Sequence, residues 1–485
     1  MLSILVCHSY FLRFDPKQRD RGKPYPPLAT LQVANLLRRA GHAVSIFDAM
    51  FAEDLDEYHA AIRSHRPQLV LVYEDNFNFL SKMCLGKMRR AACEMIAGAR
   101  GSGARVVAAG PDVSDAPELY LRAGADVALA GEGLAALRAL LDRLDADPAA
   151  PVHALADGLA GVSALIGNRV ITAPRTVDPR PDPADDVPAW DLVDLERYRA
   201  VWMRSHGYFS LNVAASRGCS FRCAWCAKPI WGNTYLQRRA ADVASEMIHL
   251  KRSFGIDHVW FADDIFGFRT DWIRDFARAM QAAGGVIPFT IQTRADLISE
   301  PMALGLKDAG CREVWIGAES GSQTILDAMN KGTTVAEILA ARARLGAIGI
   351  RVGFFIQLGY LGEQLADIEA TRALLDEARP DDVGVSVAYP LPGTKFFALV
   401  REQLGSKTHW QDSGDLAMMF RGTYNTSFYR AVRNLLHDQV AVNNLSREQP
   451  TYRAARQRWQ RDWHDLVARE HEYRESPDSP VAAAV

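Results

Sequence analysis

Short apolar runs alternate with amphipathic stretches over the first third of the chain: Leu2 to Cys7, Leu28 to Ala40, Ala43 to Phe47, Leu69 to Tyr73, Val106 to Ala109 and Val127 to Ala130. That rhythm predicts an α/β domain over residues 1–148, a doubly wound parallel sheet of Rossmann or flavodoxin-like type. Such a sheet binds ligands in a crevice at the strand carboxyl ends. A second rhythm starts at Phe209, with strand-like runs at Ser210 to Ala215, Asp257 to Phe261, Ile287 to Gln292, Glu313 to Gly317, Arg351 to Leu358 and Val383 to Ala388. Six such units predict a partial (β/α)6 TIM-like barrel across residues 206–400, with function at the carboxyl ends of its strands.

Between the two rhythms, residues 149–205 carry Pro174, Pro179, Pro181, Pro183 and Pro188 and read as a linker. Residues 401–475 read as helical, with Arg453, Arg456, Arg458 and Arg461 interleaved with Trp459 and Trp463. A helix of that kind either lies on an anionic membrane surface or, more commonly, packs its tryptophans inward. Residues 476–485 read as a disordered tail.

Composition narrows the class. A chain of 485 residues exceeds one ordinary core, and 48% hydrophobic with 24% charged residues is ordinary globular usage. A net charge of -2 gives no overall field to attract nucleic acid, so no nucleic-acid partner is expected. The start lacks the positive leader of a secretory signal, and no window reaches the roughly 18 uninterrupted apolar residues of a membrane span. Of seven cysteines, Cys7, Cys84, Cys93 and Cys311 are scattered without framework spacing, which fits a reducing cytoplasm.

The other three lie in Arg217-Gly218-Cys219-Ser220-Phe221-Arg222-Cys223-Ala224-Trp225-Cys226. Cys-x3-Cys-x2-Cys supplies three thiolates where a cubane cluster needs four, which leaves one iron open to a small molecule. A structural zinc site remains the alternative, although it normally has paired cysteines at both ends, and only His206 lies nearby.

This segment resembles the cluster loop of the radical S-adenosylmethionine (SAM) superfamily, with Trp225 as the aromatic residue before the last cysteine. The resemblance makes Cys219, Cys223 and Cys226 ligands of a [4Fe-4S] cluster that reductively cleaves SAM to a 5'-deoxyadenosyl radical. It implies an electron donor such as flavodoxin or ferredoxin. It also places Trp225, Asp263, Asp264, Glu319, Ser320, Gln357 and Tyr389 near SAM, because the strand ends at Asp263-Asp264, Gly317-Ala318-Glu319-Ser320-Gly321, Gln357-Leu358-Gly359 and Tyr389-Pro390 match the family's ligand segments. Arg294 and Gln292, near the third strand end, are candidates to hold a carboxylate.

The first domain resembles the cobalamin-binding domain that precedes some radical SAM barrels. The likeness rests on Tyr25-Pro26-Pro27-Leu28, on Ala109-Gly110-Pro111-Asp112 and on Gly131-Glu132-Gly133. It implies cobalamin contacts by Gly110, Pro111, Asp112, Gly131, Glu132 and Gly133, with His8 and Tyr73 as further candidates at strand ends. The chain has Asp112 where relatives commonly have His, and no Asp-x-His-x-x-Gly, so no lower axial ligand is assigned.

Together the resemblances imply a cobalamin-dependent radical SAM enzyme acting on a small-molecule substrate, with methyl transfer to an unactivated carbon as the leading reaction. An oxidative cyclase or rearrangement enzyme without methyl transfer is the second reading. A metal-bearing sensor or binding module is the third.

Overall fold

The computed structural model describes residues 1–78, 85–176, 184, 186–226, 230–405 and 416–475. The expected tail at 476–485, Cys84, and Pro179, Pro181 and Pro183 lie outside the described residues.

Seven strands form the first sheet: β1 (Ser3–Cys7), β2 (Ala43–Phe47), β3 (Leu69–Tyr73), β4 (Arg105–Ala109), β5 (Val127–Leu129), β6 (Val162–Ile166) and β7 (Arg169–Thr172). Their order is β2-β1-β3-β4-β5-β6-β7, parallel through β5 and antiparallel from there. Successive side chains of a strand point to opposite faces, so both faces must be covered when the run is wholly apolar. Accordingly Ile4, Val6, Leu69 and Leu71 pack into one core, whereas Leu5, Cys7, Val70 and Val72 pack into another on the opposite face. The strand order reverses between β1 and β3, and a ligand crevice opens at such a switch point.

The stretch expected as a linker is built differently. It holds a short helix at Val152–Ala156, the β6–β7 hairpin and a helix at Leu195–His206. Pro174 and Pro188 fall between these elements rather than in them. The hairpin closes through Gly167, whose φ of 63° suits a two-residue connection. Four-residue alternation of that kind is easily lost beside so many prolines.

The second part contains β8 (Ser210–Val213), β9 (Ser216–Gly218), β10 (Tyr235–Gln237), β11 (His258–Phe261), β12 (Phe289–Thr293), β13 (Cys311–Glu319), β14 (Arg351–Leu358) and β15 (Asp382–Val387). Six of these form an all-parallel sheet in the order β15-β14-β13-β12-β11-β8. β9 and β10 pair antiparallel and carry the cysteine segment between them.

The first domain reaches across to edge strand β8. Tyr25 Oη lies 3.2 Å from Ser210 Oγ, Asn212 Nδ2 donates to the Pro26 carbonyl at 3.1 Å, and Trp202 Nε1 donates to the Pro24 carbonyl at 2.7 Å. A hydroxyl relay continues inward from Ser210 Oγ to His258 Nδ1 at 2.9 Å and from His258 Nε2 to Thr290 Oγ1 at 3.0 Å. Burial, then the charge of Lys23, pushes His258 down to about 4, so it sits there neutral.

The helices Thr426–Asn443 and Pro450–Ala468 pack on the barrel's outside. Trp459 and Trp463 face inward: their Nε1 atoms donate to the Leu435 carbonyl at 2.8 Å and to Glu369 Oε1 at 2.6 Å, and the Arg372 guanidinium lies over both rings. Among the described residues no helix is long and apolar enough to cross a membrane.

Glu363, in the loop after β14, is fully buried and accepts the Gly359 N–H on Oε2 at 2.6 Å. Burial pushes its carboxyl up to about 8 against that hydrogen bond, so the folded protein holds a proton that the unfolded chain releases near the ordinary carboxylate value. Its contribution to stability is therefore complete at low pH and declines as pH rises toward 8, by at most about 1.4 kcal/mol per unit. Thermal melts from pH 5 to 9 are expected to show a shallower decline in Glu363→Gln than in the parent. Equal slopes would contradict a neutral buried carboxyl.

Candidate active site

The cysteine segment follows the carboxyl end of β8, and its position is set before it begins. Asp263, at the end of β11, accepts the Ala215 N–H at 3.0 Å and the Ser216 hydroxyl, and it is only 1% exposed. Burial pushes its carboxyl up to about 7, with the two donors pulling it down. Gly218 then turns the chain at φ 75°, where an added Cβ would collide with the Thr234 carbonyl. Glycine is required there.

Beyond Gly218 the three thiols of Cys219, Cys223 and Cys226 form no disulfide and are half-buried. The loop is stitched across the barrel mouth: Ala224 N–H donates to the Met329 carbonyl at 2.8 Å, the Phe396 N–H donates to the Ala224 carbonyl at 3.0 Å, and Asn330 Nδ2 donates to the Arg222 carbonyl at 2.7 Å. Among the described residues no three His, Cys, Asp or Glu side chains converge on a single-ion site. In a cubane each thiolate takes its own iron, so three soft donors spread along one rigid loop fit that group.

The remaining expected SAM-side residues divide by what their polar atoms already do. Glu319 takes the left-handed conformation at φ 61°, beside a register shift in β13, and its Oε1 accepts from Lys331 Nζ at 2.7 Å in a buried ion pair. A Cβ on Gly317 would strike that pair, so a bare backbone is needed beneath it. Ser320 turns away from the mouth, its Oγ 3.2 Å from Thr371 Oγ1. Asp264 is exposed and Tyr389 is buried. Among the described residues Trp225 Nε1 and Gln357 Oε1 are buried without a hydrogen-bond partner. A buried unpaired donor or acceptor costs about 1–3 kcal/mol.

At the switch point of the first sheet, the polar side chains expected to face cobalamin are largely spent on the framework. His8 is 1% exposed, with Nε2 lying 2.9 Å from Asp48 Oδ1 and Nδ1 accepting the Tyr10 N–H at 3.3 Å. Burial lowers its affinity for a proton, but the hydrogen bond and charge of Asp48 outweigh this and hold it above the ordinary value. Tyr198 donates to the same carboxylate at 2.6 Å. Both ring nitrogens of His8 are thereby engaged.

Tyr73 Oη donates to the Glu132 carbonyl at 2.8 Å, and Asp112 is pinned by Arg89 Nε at 2.6 Å and by the Tyr120 hydroxyl. What the crevice offers instead is backbone. Gly110 has a φ of 142° with its Cβ position against Glu74, and Gly131 and Gly133 precede the helix Leu134–Ala146. Pro111 joins Ser9, Glu74, Arg89 and Tyr120 in lining a small cavity there. Asn76 Oδ1, just past β3, is buried without a partner among the described residues, and its neighbour Phe77 packs on Trp231 of the cysteine loop at 5.1 Å between ring centroids. An orphaned buried amide at this switch point fits an amide-bearing ligand such as cobalamin.

One residue joins the two sites. Arg217, in β9, donates from Nε to Glu132 Oε1 at 2.8 Å and from Nη2 to Gln32 Oε1 at 3.0 Å, while Nη1 lies 2.6 Å from Asp186 Oδ1. All of these groups are buried.

The Radical SAM superfamily model matches residues 213–375 and the B12 binding domain model matches residues 19–141. This chain is a B12-binding radical SAM enzyme. Its cofactors are a [4Fe-4S] cluster, SAM and cobalamin. It is 27% identical to an uncharacterized methyltransferase, PH0819, of Pyrococcus horikoshii over 78% of this chain and 79% of that one. It is 26% identical to the anaerobic magnesium-protoporphyrin IX monomethyl ester cyclase of Cereibacter sphaeroides over 58% of this chain and 45% of the cyclase. The radical SAM methyltransferase TsrM from Kitasatospora setae, solved with cobalamin and a [4Fe-4S] cluster bound, shares the fold at TM-score 0.67 and 20% identity, covering 83% of this chain and 75% of TsrM.

Arg217, Asn76 and Lys331 were not among the expected site residues. The sequence carried a signal for Arg217, which immediately precedes Gly218-Cys219. It carried none for Asn76.

Proposed function

We propose that this enzyme transfers a methyl group from SAM to an unactivated carbon of a small molecule, taking its electron from a flavodoxin- or ferredoxin-type donor. The observation that carries the reading is the Arg217 bridge, which ties the residue just before Gly218-Cys219 to Glu132 of the B12-binding domain; on this reading both cofactor sites open on one cleft. Similarity to a protein described as a methyltransferase over four fifths of its length supports the same reading.

When bound, cobalamin supplies a methyl carrier and the cluster supplies one-electron reduction of SAM. The chain's own residues do the rest. Cys219, Cys223 and Cys226 would hold the cluster, and Asp263 holds the root of their loop. Trp225 Nε1 and Gln357 Oε1 offer a free donor and a free acceptor toward SAM. The Glu319–Lys331 pair holds the carboxyl end of β13 open over Gly317. Gly110, Gly131 and Gly133 turn the backbone of the crevice at positive φ, their bare sides packed on Glu74, Arg175 and Leu129. Phe77 of the first domain packs on Trp231, which follows the cysteine segment.

Likeness to the cyclase favours a second reading, in which the same site oxidises or rearranges its substrate. Mass spectrometry of extracts from cells with and without the chain separates the two. A compound heavier by one methylene supports methyl transfer. A product that differs only in hydrogen or oxygen content rejects it in favour of the second reading.

A further inference from the structure

Arg294 stands just past the carboxyl end of β12 and is 5% exposed. Its Nη1 donates toward Cys223 Sγ at 3.7 Å, and the guanidinium lies over the Phe221 ring, 3.8 Å from its centroid. The other donors are held. Nε reaches Asp296 Oδ1 at 2.9 Å, and Nη2 reaches Asp296 Oδ2 at 3.1 Å, the Gly332 carbonyl at 3.2 Å and Thr333 Oγ1 at 2.8 Å. A planar fork anchored on one side and stacked on a ring presents its remaining N–H in a fixed direction. That direction is toward a cluster sulfur.

We propose that Arg294 sets the reduction potential of the cluster on Cys219, Cys223 and Cys226. One-electron reduction adds one negative charge to the cluster, with no bond made and no proton moved. A cation donating a hydrogen bond to a ligating sulfur stabilises the more negative state and so raises the potential. Asp296 opposes it, because its carboxylate neutralises part of the guanidinium charge. Arg294 thus acts through Cys223 as a positioning residue. Since Nε and Nη2 are committed to Asp296, it is poorly placed to hold a ligand carboxylate as well.

The proposal rests on the cysteine loop carrying the cluster, and the test keeps the two apart. Full-length protein is reconstituted anaerobically, its iron and sulfide are counted, and the cluster is titrated with dithionite under EPR detection. A parent protein that takes up no cluster fails the underlying reading. With the parent loaded, Arg294→Met is expected to raise the oxidised-to-reduced ratio about tenfold at fixed potential, equivalent to 59 mV for one electron. Asp296→Asn is expected to lower that ratio. If Arg294→Met does not load its cluster, the sign of the Asp296→Asn shift decides. Coincident midpoints in all loaded proteins, or an Asp296→Asn shift to lower potential, overturn the proposal. Weakened SAM binding with an unshifted midpoint in Arg294→Met overturns it too, and would make Arg294 a carboxylate holder.

Discussion

Cys223→Ala protein, reconstituted under the conditions that load the parent, is expected to lose both the broad iron-sulfur absorption and 5'-deoxyadenosine formation to below detection. Cys223 is the middle of three thiols on one loop, and two thiolates cannot hold a cubane that also needs an open iron. The loss should leave the fold intact. The thiol is half-buried, and the backbone around it is fixed by Ala224, Met329 and Phe396 rather than by sulfur. Far-UV circular dichroism should therefore match the parent. Retained absorption and turnover would remove the cysteine loop from the chemistry.

Arg217→Met is expected to be nearly as damaging by a different route. Truncating this guanidinium leaves Glu132 buried with its charge uncompensated and weakens the compensation of Asp186, and breaking a buried pair in that way costs about 3–5 kcal/mol. Asp186 retains Arg238 at 3.6 Å, which is itself shared with Glu246. Glu132 therefore bears most of the loss. Urea unfolding should show it as a lowered midpoint. The specific consequence is at the cleft: cobalamin should be retained poorly while Cys219, Cys223 and Cys226 still take up iron. Glu132→Gln, which keeps shape and removes the charge, should reproduce the poor retention with milder destabilisation. Full cobalamin retention in both variants would show that the bridge is only structural.

Much of the scaffold was legible because burial on both faces forces continuous apolar runs. Leu69 to Tyr73 and Arg351 to Leu358 are strands from end to end. The cluster loop was legible because three cysteines in one segment have few other uses. The β6–β7 hairpin was missed because its four- and five-residue strands sit among prolines. Tyr25-Pro26-Pro27 was legible as a motif but not as a contact, for its reach to Ser210 spans 185 residues.

Side-chain direction was the least legible property. His8, Asp112 and Glu132 have the chemistry of ligand contacts, yet each is committed to a partner distant in sequence, 85 residues away for Arg217 and Glu132. Asn76 looks unremarkable until its amide oxygen is seen without a partner. A sequence states which groups are present. Which of them remain free is decided by packing.

One cleft is expected to operate both cofactors, and SAM labelled with a trideuteromethyl group tests this without a known substrate. The fully reconstituted chain, carrying cluster and cobalamin, is reduced anaerobically and given this SAM, and the corrinoid is then extracted for mass spectrometry. The trideuteromethyl label is expected on the corrinoid, together with 5'-deoxyadenosine in solution. Label that stays wholly on SAM, in protein that holds both cofactors and is reduced, would contradict it.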